Sequence, residues 1–281
     1  MTGQLSPLAQ GKAAGVAAPY GSLLLKTGQT TQYNSAADDG SLEKGVAKSY
    51  TVNTAGAQSG TSNVTMIHLQ AASVAFASAT KTITRSNYCN GFVPGGGETI
   101  VVSGTKSNNG TFTTVSATAN TIVVNEALTD ESADAGQTTV IKKTEAISNN
   151  TVLDNNTGLT WTRYNPVVLG LIGKMRFKSV INYIFTIFNY AIAANAASLG
   201  GYTDWRVPNL FEMMSLMDYE AVNAVPDTTA FPSVVASSYH TSTTQPSAVA
   251  NSLLVRFDTG VILVRSTDGT DNDYILLVRG G

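Results

Sequence analysis

Between residues 68 and 143 apolar and polar positions alternate in short runs, and turn-forming residues separate the runs. Strict alternation places one face of a strand against a core, so the pattern predicts strands at 73–76, 80–85, 98–103, 110–117, 121–125 and 138–142. Between them, Pro94-Gly95-Gly96-Gly97, Asn108-Asn109-Gly110 and Thr118-Ala119-Asn120 supply tight-turn chemistry. The expected unit is a small all-β barrel or sandwich spanning 67–143. Beyond residue 150 the texture becomes mixed. A strand is predicted at 159–162, a helix at 179–198 stopped by Gly200-Gly201, and a second helix after Pro208. In that second helix Asn209 caps the first turn and Glu212 completes a capping box. Strands return at 253–257, 261–266 and 274–279. Residues 1–20, rich in Ala and Gly with Pro7 and Pro19, show no amphipathic period and read as an anchoring arm to a partner.

The run 179–203 carries no charged residue and invites a comparison with a membrane span. Asn182, Thr186 and Asn189 fall on one helical stripe, which an apolar bilayer would not tolerate unpaired. The run is therefore expected to be a buried helix. Its apolar side, with Ile181, Ile184, Phe185 and Phe188, is the candidate contact of a homo-oligomer, expected to be a trimer.

Composition narrows the classes of function. The 281 residues contain 17 Lys and Arg against 19 Asp and Glu, a formal charge of −2, and only 13% of residues are charged. So few cations cannot neutralise many phosphates, which argues against a nucleic-acid partner. With 43% hydrophobic residues the chain has enough apolar surface to fold. One Cys, Cys89, excludes an intrachain disulfide and any paired-thiol site. The first twenty residues lack the basic start and apolar core of a secretory leader.

Several stretches carry a specific resemblance. They are Lys26-Thr27-Gly28-Gln29-Thr30-Thr31, Asp38-Asp39-Gly40-Ser41-Leu42-Glu43-Lys44-Gly45-Val46, Thr157-Gly158-Leu159-Thr160-Trp161-Thr162, Gly201-Tyr202-Thr203-Asp204-Trp205-Arg206-Val207-Pro208-Asn209 and Val278-Arg279-Gly280-Gly281. In this order they resemble the C-terminal domain of the Legionella collagen-like adhesin family. That resemblance implies an α+β fold of the C-type-lectin-like kind, shared with formylglycine-generating enzymes and variable phage receptor-binding proteins. It also implies a discontinuous domain, 21–66 and 144–281, with the β module of 67–143 inserted in a loop, at a closure cost that grows only logarithmically with length. The module, with Ile100-Val101-Val102-Ser103-Gly104, Asn108-Asn109-Gly110-Thr111-Phe112 and Glu126-Ala127-Leu128-Thr129-Asp130-Glu131, is similar to small β domains of bacteriophage structural proteins.

Together these resemblances imply a virion protein: a fibre, tail tip or capsid-decorating adhesin that binds a host-surface or glycan receptor. The alternatives are a purely architectural connector and an exported bacterial adhesin. Trp161, Trp205 and Arg206 are expected to hold the fold, with Arg206 paired to a carboxylate. No catalytic residue, cofactor or metal is expected. The loop Thr267-Asp268-Gly269-Thr270-Asp271-Asn272-Asp273 offers oxygen ligands that calcium would accept, yet it departs from the EF-hand pattern and reads as a solvated turn. Receptor contact is expected on loops, through Tyr239, His240, Asp271, Asn272 and Tyr274.

Overall fold

The computed structural model describes residues 25–29, 38, 45–85, 96–118, 120–165, 177, 186–220, 223–267 and 273–281. The expected arm of 1–20, Cys89, the helical contact residues Ile181, Ile184 and Phe185, and the receptor candidates Asp271 and Asn272 lie outside the described residues.

Fourteen strands form among the described residues: β1 (Tyr50–Asn53), β2 (Thr61–Ala71), β3 (Ala75–Ala77), β4 (Thr82–Thr84), β5 (Thr99–Ser103), β6 (Gly110–Ala117), β7 (Thr121–Val124), β8 (Thr139–Ser148), β9 (Thr151–Asp154), β10 (Thr160–Thr162), β11 (Ser238–Gln245), β12 (Ala248–Arg256), β13 (Val261–Ser266) and β14 (Val278–Arg279). Two α-helices accompany them, α1 (Ile187–Ala196) and α2 (Leu210–Ser215). The strands make three sheets, of order β2-β8-β5-β6-β7-β4-β3, β1-β9-β10-β14 and β11-β12-β13. This corrects the expected α+β, C-type-lectin-like architecture: the molecule is built mostly of β-sheet, and the helices among the described residues are short.

The seven-stranded sheet follows directly from alternation. Along β5, Ile100 and Val102 point into the core while Val101 stays in solvent, and Ile83, Ile122, Val124 and Ile141 join them from neighbouring strands. Its turns are pinned by polar side chains. Asn108 accepts from the Thr129 amide at 2.8 Å and donates through Nδ2 to Thr129 O at 3.0 Å and Glu131 Oε2 at 2.9 Å. Glu131 also accepts from the amides of Lys106 at 2.9 Å and Ser107 at 3.3 Å, and from Gln137 Nε2 at 2.7 Å. Its own backbone meets that of Phe76 in β3. Burial raises the pKa of this carboxyl, but the converging N–H groups outweigh burial and hold it below the ordinary value.

Strand β1 pairs antiparallel with β9, Tyr50 opposite Asp154 and Asn53 opposite Thr151, although about a hundred residues separate them. The chain leaves β1, enters the seven-stranded sheet by β2, returns by β8, and comes back to lie beside its starting point. Strands β2 and β8 run antiparallel along their full lengths, from Thr61 opposite Ser148 to Ala71 opposite Thr139.

Helix α1 starts later than the uncharged run predicts. Thr186 has extended backbone, and its hydroxyl accepts from the Asn189 amide at 3.3 Å, so these two residues form a helix cap rather than part of a polar stripe. Ile187, Tyr190 and Ala194 then pack on Val64, Met66 and Ile147 of β2 and β8, inside the molecule. Phe188 is partly exposed and meets Phe177 edge-on at 5.2 Å. Among the described residues no helix is long and apolar enough to cross a membrane.

Candidate binding cleft

Of the predicted receptor residues, the described ones, Tyr239, His240 and Tyr274, are brought together, but as packing. Tyr239 and His240 sit in β11, at 0% and 2% exposure. Tyr239 stacks on Tyr274 at 5.4 Å and meets Phe257 in a tilted contact at 4.8 Å, and its hydroxyl accepts from the Val235 amide at 3.0 Å. Burial pushes its phenol up to about 12. His240 Nε2 lies 4.0 Å from Asp273 Oδ2, and Asp273 in turn is 3.1 Å from Arg265 Nε. The His240 amide donates to Tyr274 O and the Tyr274 amide to Ser238 O, so the segment is tied along β11. Tyr239 and His240 therefore cannot offer their rings to a receptor, which corrects that expectation. They hold the 273–274 segment against the sheet.

A cleft lies elsewhere, between two stretches far apart in sequence. Lys26, Gly28, Ala47, Lys48 and Tyr50 form one wall; Asp218, Val225, Pro226, Asp227 and Thr228 form the other. Its volume is about 470 Å³, within the size range of small-molecule sites. Backbone pairing sets the first wall: Leu25 bridges Val46, and the Lys26 amide donates to Val46 O at 2.9 Å. The Tyr219 amide donates to Thr27 O at 2.9 Å and draws the second wall close. Gly28 is required at this junction. Its φ is +94°, and a Cβ there would come 2.0 Å from Asp218 Oδ1.

The electrostatics of the cleft follow from partial burial. Lys48 Nζ donates to Met217 O, and desolvation lowers its pKa against the opposing pull of Asp218 and Asp154. The phenol of Tyr50 is raised by burial first and by Asp154, Asp227 and Asp218 after it. Its ring packs edge-on against Phe231 at 5.4 Å, while its buried hydroxyl has no hydrogen-bond partner among the described residues. Asp218 and Asp227 each spend one carboxylate oxygen on local amides: Asp218 accepts from Glu220 N at 3.1 Å, and Asp227 accepts from Thr229 N at 2.7 Å. The arrangement places donors and acceptors side by side around an unmet phenol. Among the described residues no cluster of three or more His, Cys, Asp or Glu could hold a metal ion.

Across 150–279 the chain matches the family model described as the Lcl C-terminal domain. Those residues belong to that family. No curated protein and no solved structure matches the chain. The Lcl C-terminal domain supplies the Asp218 to Thr228 wall of the cleft, and the opposite wall precedes the matched region. Membership supports a coarse functional class, an adhesin-like surface protein.

Within the Lcl C-terminal domain the family-like residues hold the fold, as the sequence predicts. Trp161 is fully buried, and buried Trp205 donates through Nε1 to Leu199 O at 2.8 Å. Arg206 forks onto Glu212 at 2.7 and 2.6 Å and reaches Gly280 O at 2.8 Å, tying the chain's last residues to α2. The same Glu212 closes a capping box with Asn209. The cleft had a weaker signal. Lys26-Thr27-Gly28 stood out only as a family mark, and nothing local joins it to Asp227.

Proposed function

We propose that the protein is a host-attachment component of a bacteriophage particle, and that it takes a cell-surface glycan into the cleft between Lys48 and Tyr50 on one side and Asp218 and Asp227 on the other. The observation that carries this reading is the mixed lining: ammonium and phenol donors face carboxylate acceptors across one concavity. Sugar hydroxyls donate and accept at once, and such a lining satisfies both halves, while Val225 and Pro226 suit the apolar C–H faces of a sugar ring. The adhesin-like family of 150–279 supports attachment. The resemblance of the strand-rich 67–143 segment to phage structural modules supports the particle.

Two measurements test the reading. The full chain, applied to a glycan array and to intact bacterial cells, is expected to bind a subset saturably, with competition by the free glycan. Asp227→Asn and Thr228→Val are expected to weaken that binding without unfolding the protein. No saturable binding, or binding untouched by both substitutions, contradicts the cleft as the receptor site. Antibody labelling of phage particles by electron microscopy is expected to mark the virion; labelling of a bacterial surface instead contradicts the particle assignment.

A further inference from the structure

The cleft between Lys48 and Asp227 carries a charge imbalance that its lining alone does not show. Lys26 and Lys48 stand on one wall and Asp218 and Asp227 on the other, so the lining itself balances. Behind it lies a third carboxylate: Asp154, opposite Tyr50 in the β1–β9 pair, is 2% exposed. Among the described residues it accepts only from neutral donors, the Asn156 amide at 2.9 Å, the Thr157 amide at 3.4 Å and the Thr157 hydroxyl at 2.8 Å. None of these three carboxylates has a cation within ion-pair distance among the described residues, whereas Asp134 pairs with Lys106, Asp204 with Arg279 and Asp258 with Arg256. Lys48 does not fill the gap: its Nζ donates to Met217 O, and burial works against its charge. The field of the carboxylates shows at Tyr50, whose phenol is pushed up by burial and then by Asp154, Asp227 and Asp218. Gly28 builds the arrangement in, because with φ of +94° and no side chain it leaves room for the Asp218 carboxylate, which a Cβ would meet at 2.0 Å.

Resting on the glycan reading of this cleft, we infer that its ligand is a sugar with a free amino group, held as an ammonium ion by Asp218 and Asp227 beside the Tyr50 hydroxyl. An ammonium has three N–H donors and no acceptor. Asp218 and Asp227 each keep one carboxylate oxygen that no described residue bonds, and the Tyr50 oxygen is unmet, so three acceptors line one concavity. Hydrogen bonds assisted by charge on both sides are shorter and about twice as strong as those between neutral groups. A plain hydroxyl in the same place leaves the surplus of negative charge uncompensated. An N-acetylated amine has lost the charge and two of the three N–H donors. A uronic or sulfated sugar brings a like charge toward Asp218 and Asp154, which selects against it. Val225 and Pro226 still suit the apolar face of the ring, so the amine adds selectivity among glycans without replacing the sugar contacts.

The test compares two oligosaccharides that differ only at nitrogen, oligoglucosamine and the same oligomer fully N-acetylated, each titrated into the full chain by calorimetry. At low salt the free-amine form is expected to bind about tenfold more tightly, and the gap is expected to narrow as salt rises. Asp218→Asn and Asp227→Asn keep an oxygen toward the local amides and remove the charge, so each is expected to shrink the preference several-fold at an unchanged melting temperature. Asp227 is exposed, and its variant serves if Asp218→Asn lowers that temperature. Equal or tighter binding of the N-acetylated oligomer, or of an acidic glycan, overturns the inference and leaves the glycan cleft standing. So does a preference that both Asn variants keep. Spermidine bound as tightly as oligoglucosamine overturns the sugar half of the inference together with the glycan reading, and leaves a cation site. Binding of no sugar and no amine overturns both.

Discussion

The turn network around Glu131 and the cleft around Tyr50 use the same chemistry to opposite ends. At Glu131 each carboxylate oxygen meets N–H donors from the surrounding turns, and the buried Asn108 spends both its oxygen and its nitrogen. At Tyr50 a buried hydroxyl is left unmet beside carboxylates that use only part of their accepting capacity. A polar group buried with its partners specifies the fold; one buried without them costs stability and persists where something other than folding uses it. Unmet polar atoms also occur in the core, at Trp161 Nε1 and Tyr190 Oη, so what sets Tyr50 apart is that its unmet hydroxyl belongs to a residue lining a cleft.

The comparison can be broken most forcefully in the seven-stranded sheet. Lys143 is buried and bridges Glu98 at 2.9 Å and Glu145 more closely still. Lys143→Met leaves the two carboxylates facing each other with no cation, and urea denaturation is expected to show a loss of about 3 kcal/mol. A change within experimental error would mean that these polar groups are solvated rather than structural.

Glu131→Gln comes next. The amide keeps one oxygen and turns an NH₂ toward N–H donors, so thermal unfolding is expected to report about 2 kcal/mol of destabilisation. The pH dependence sharpens it. Because the folded carboxyl lies below its ordinary value of 4.5, its stabilisation is present above that value and is lost as pH falls through the folded one. Stability of the wild type should therefore drop on acidification more steeply than that of Glu131→Gln.

Gly28→Ala moves the comparison to the cleft. The new Cβ must displace the Asp218 carboxylate, and φ of +94° is strained for any L side chain, so about 1 to 2 kcal/mol of stability should be lost together with ligand binding. Retained binding would place the ligand elsewhere.

Much of the strand pattern was legible in sequence. The predicted 110–117 and 261–266 strands coincide with β6 and β13, and Asn209 with Glu212 forms the expected capping box. Strands β1, β2, β9 and β11 were not foreseen. Their residues are heavily Ser, Thr and Asn, and they are strands because a partner distant in sequence pairs with them, as Tyr50 does with Asp154. The site expectation failed for the same reason. Read as loop, Tyr239 and His240 would face solvent; as part of β11 they are buried between Phe257, Tyr274 and Asp273. The expected α+β class came from the family resemblance and not from periodicity, and the helix expected over 179–198 is described as α1, ten residues that start after the Thr186 cap. The cleft was illegible because its walls are joined only by folding, and Gly28 shows its purpose only when Asp218 stands beside it.

The most direct test of the cleft is Tyr50→Phe, read for stability and for glycan binding together. The substitution removes one hydroxyl that pairs with nothing among the described residues and keeps the ring on Phe231. Unfolding free energy is expected to hold or rise by up to about 1 kcal/mol, while affinity for the array-selected glycan falls about tenfold. A variant that loses stability and keeps its affinity would contradict the account, since the hydroxyl would then serve the fold and not the ligand.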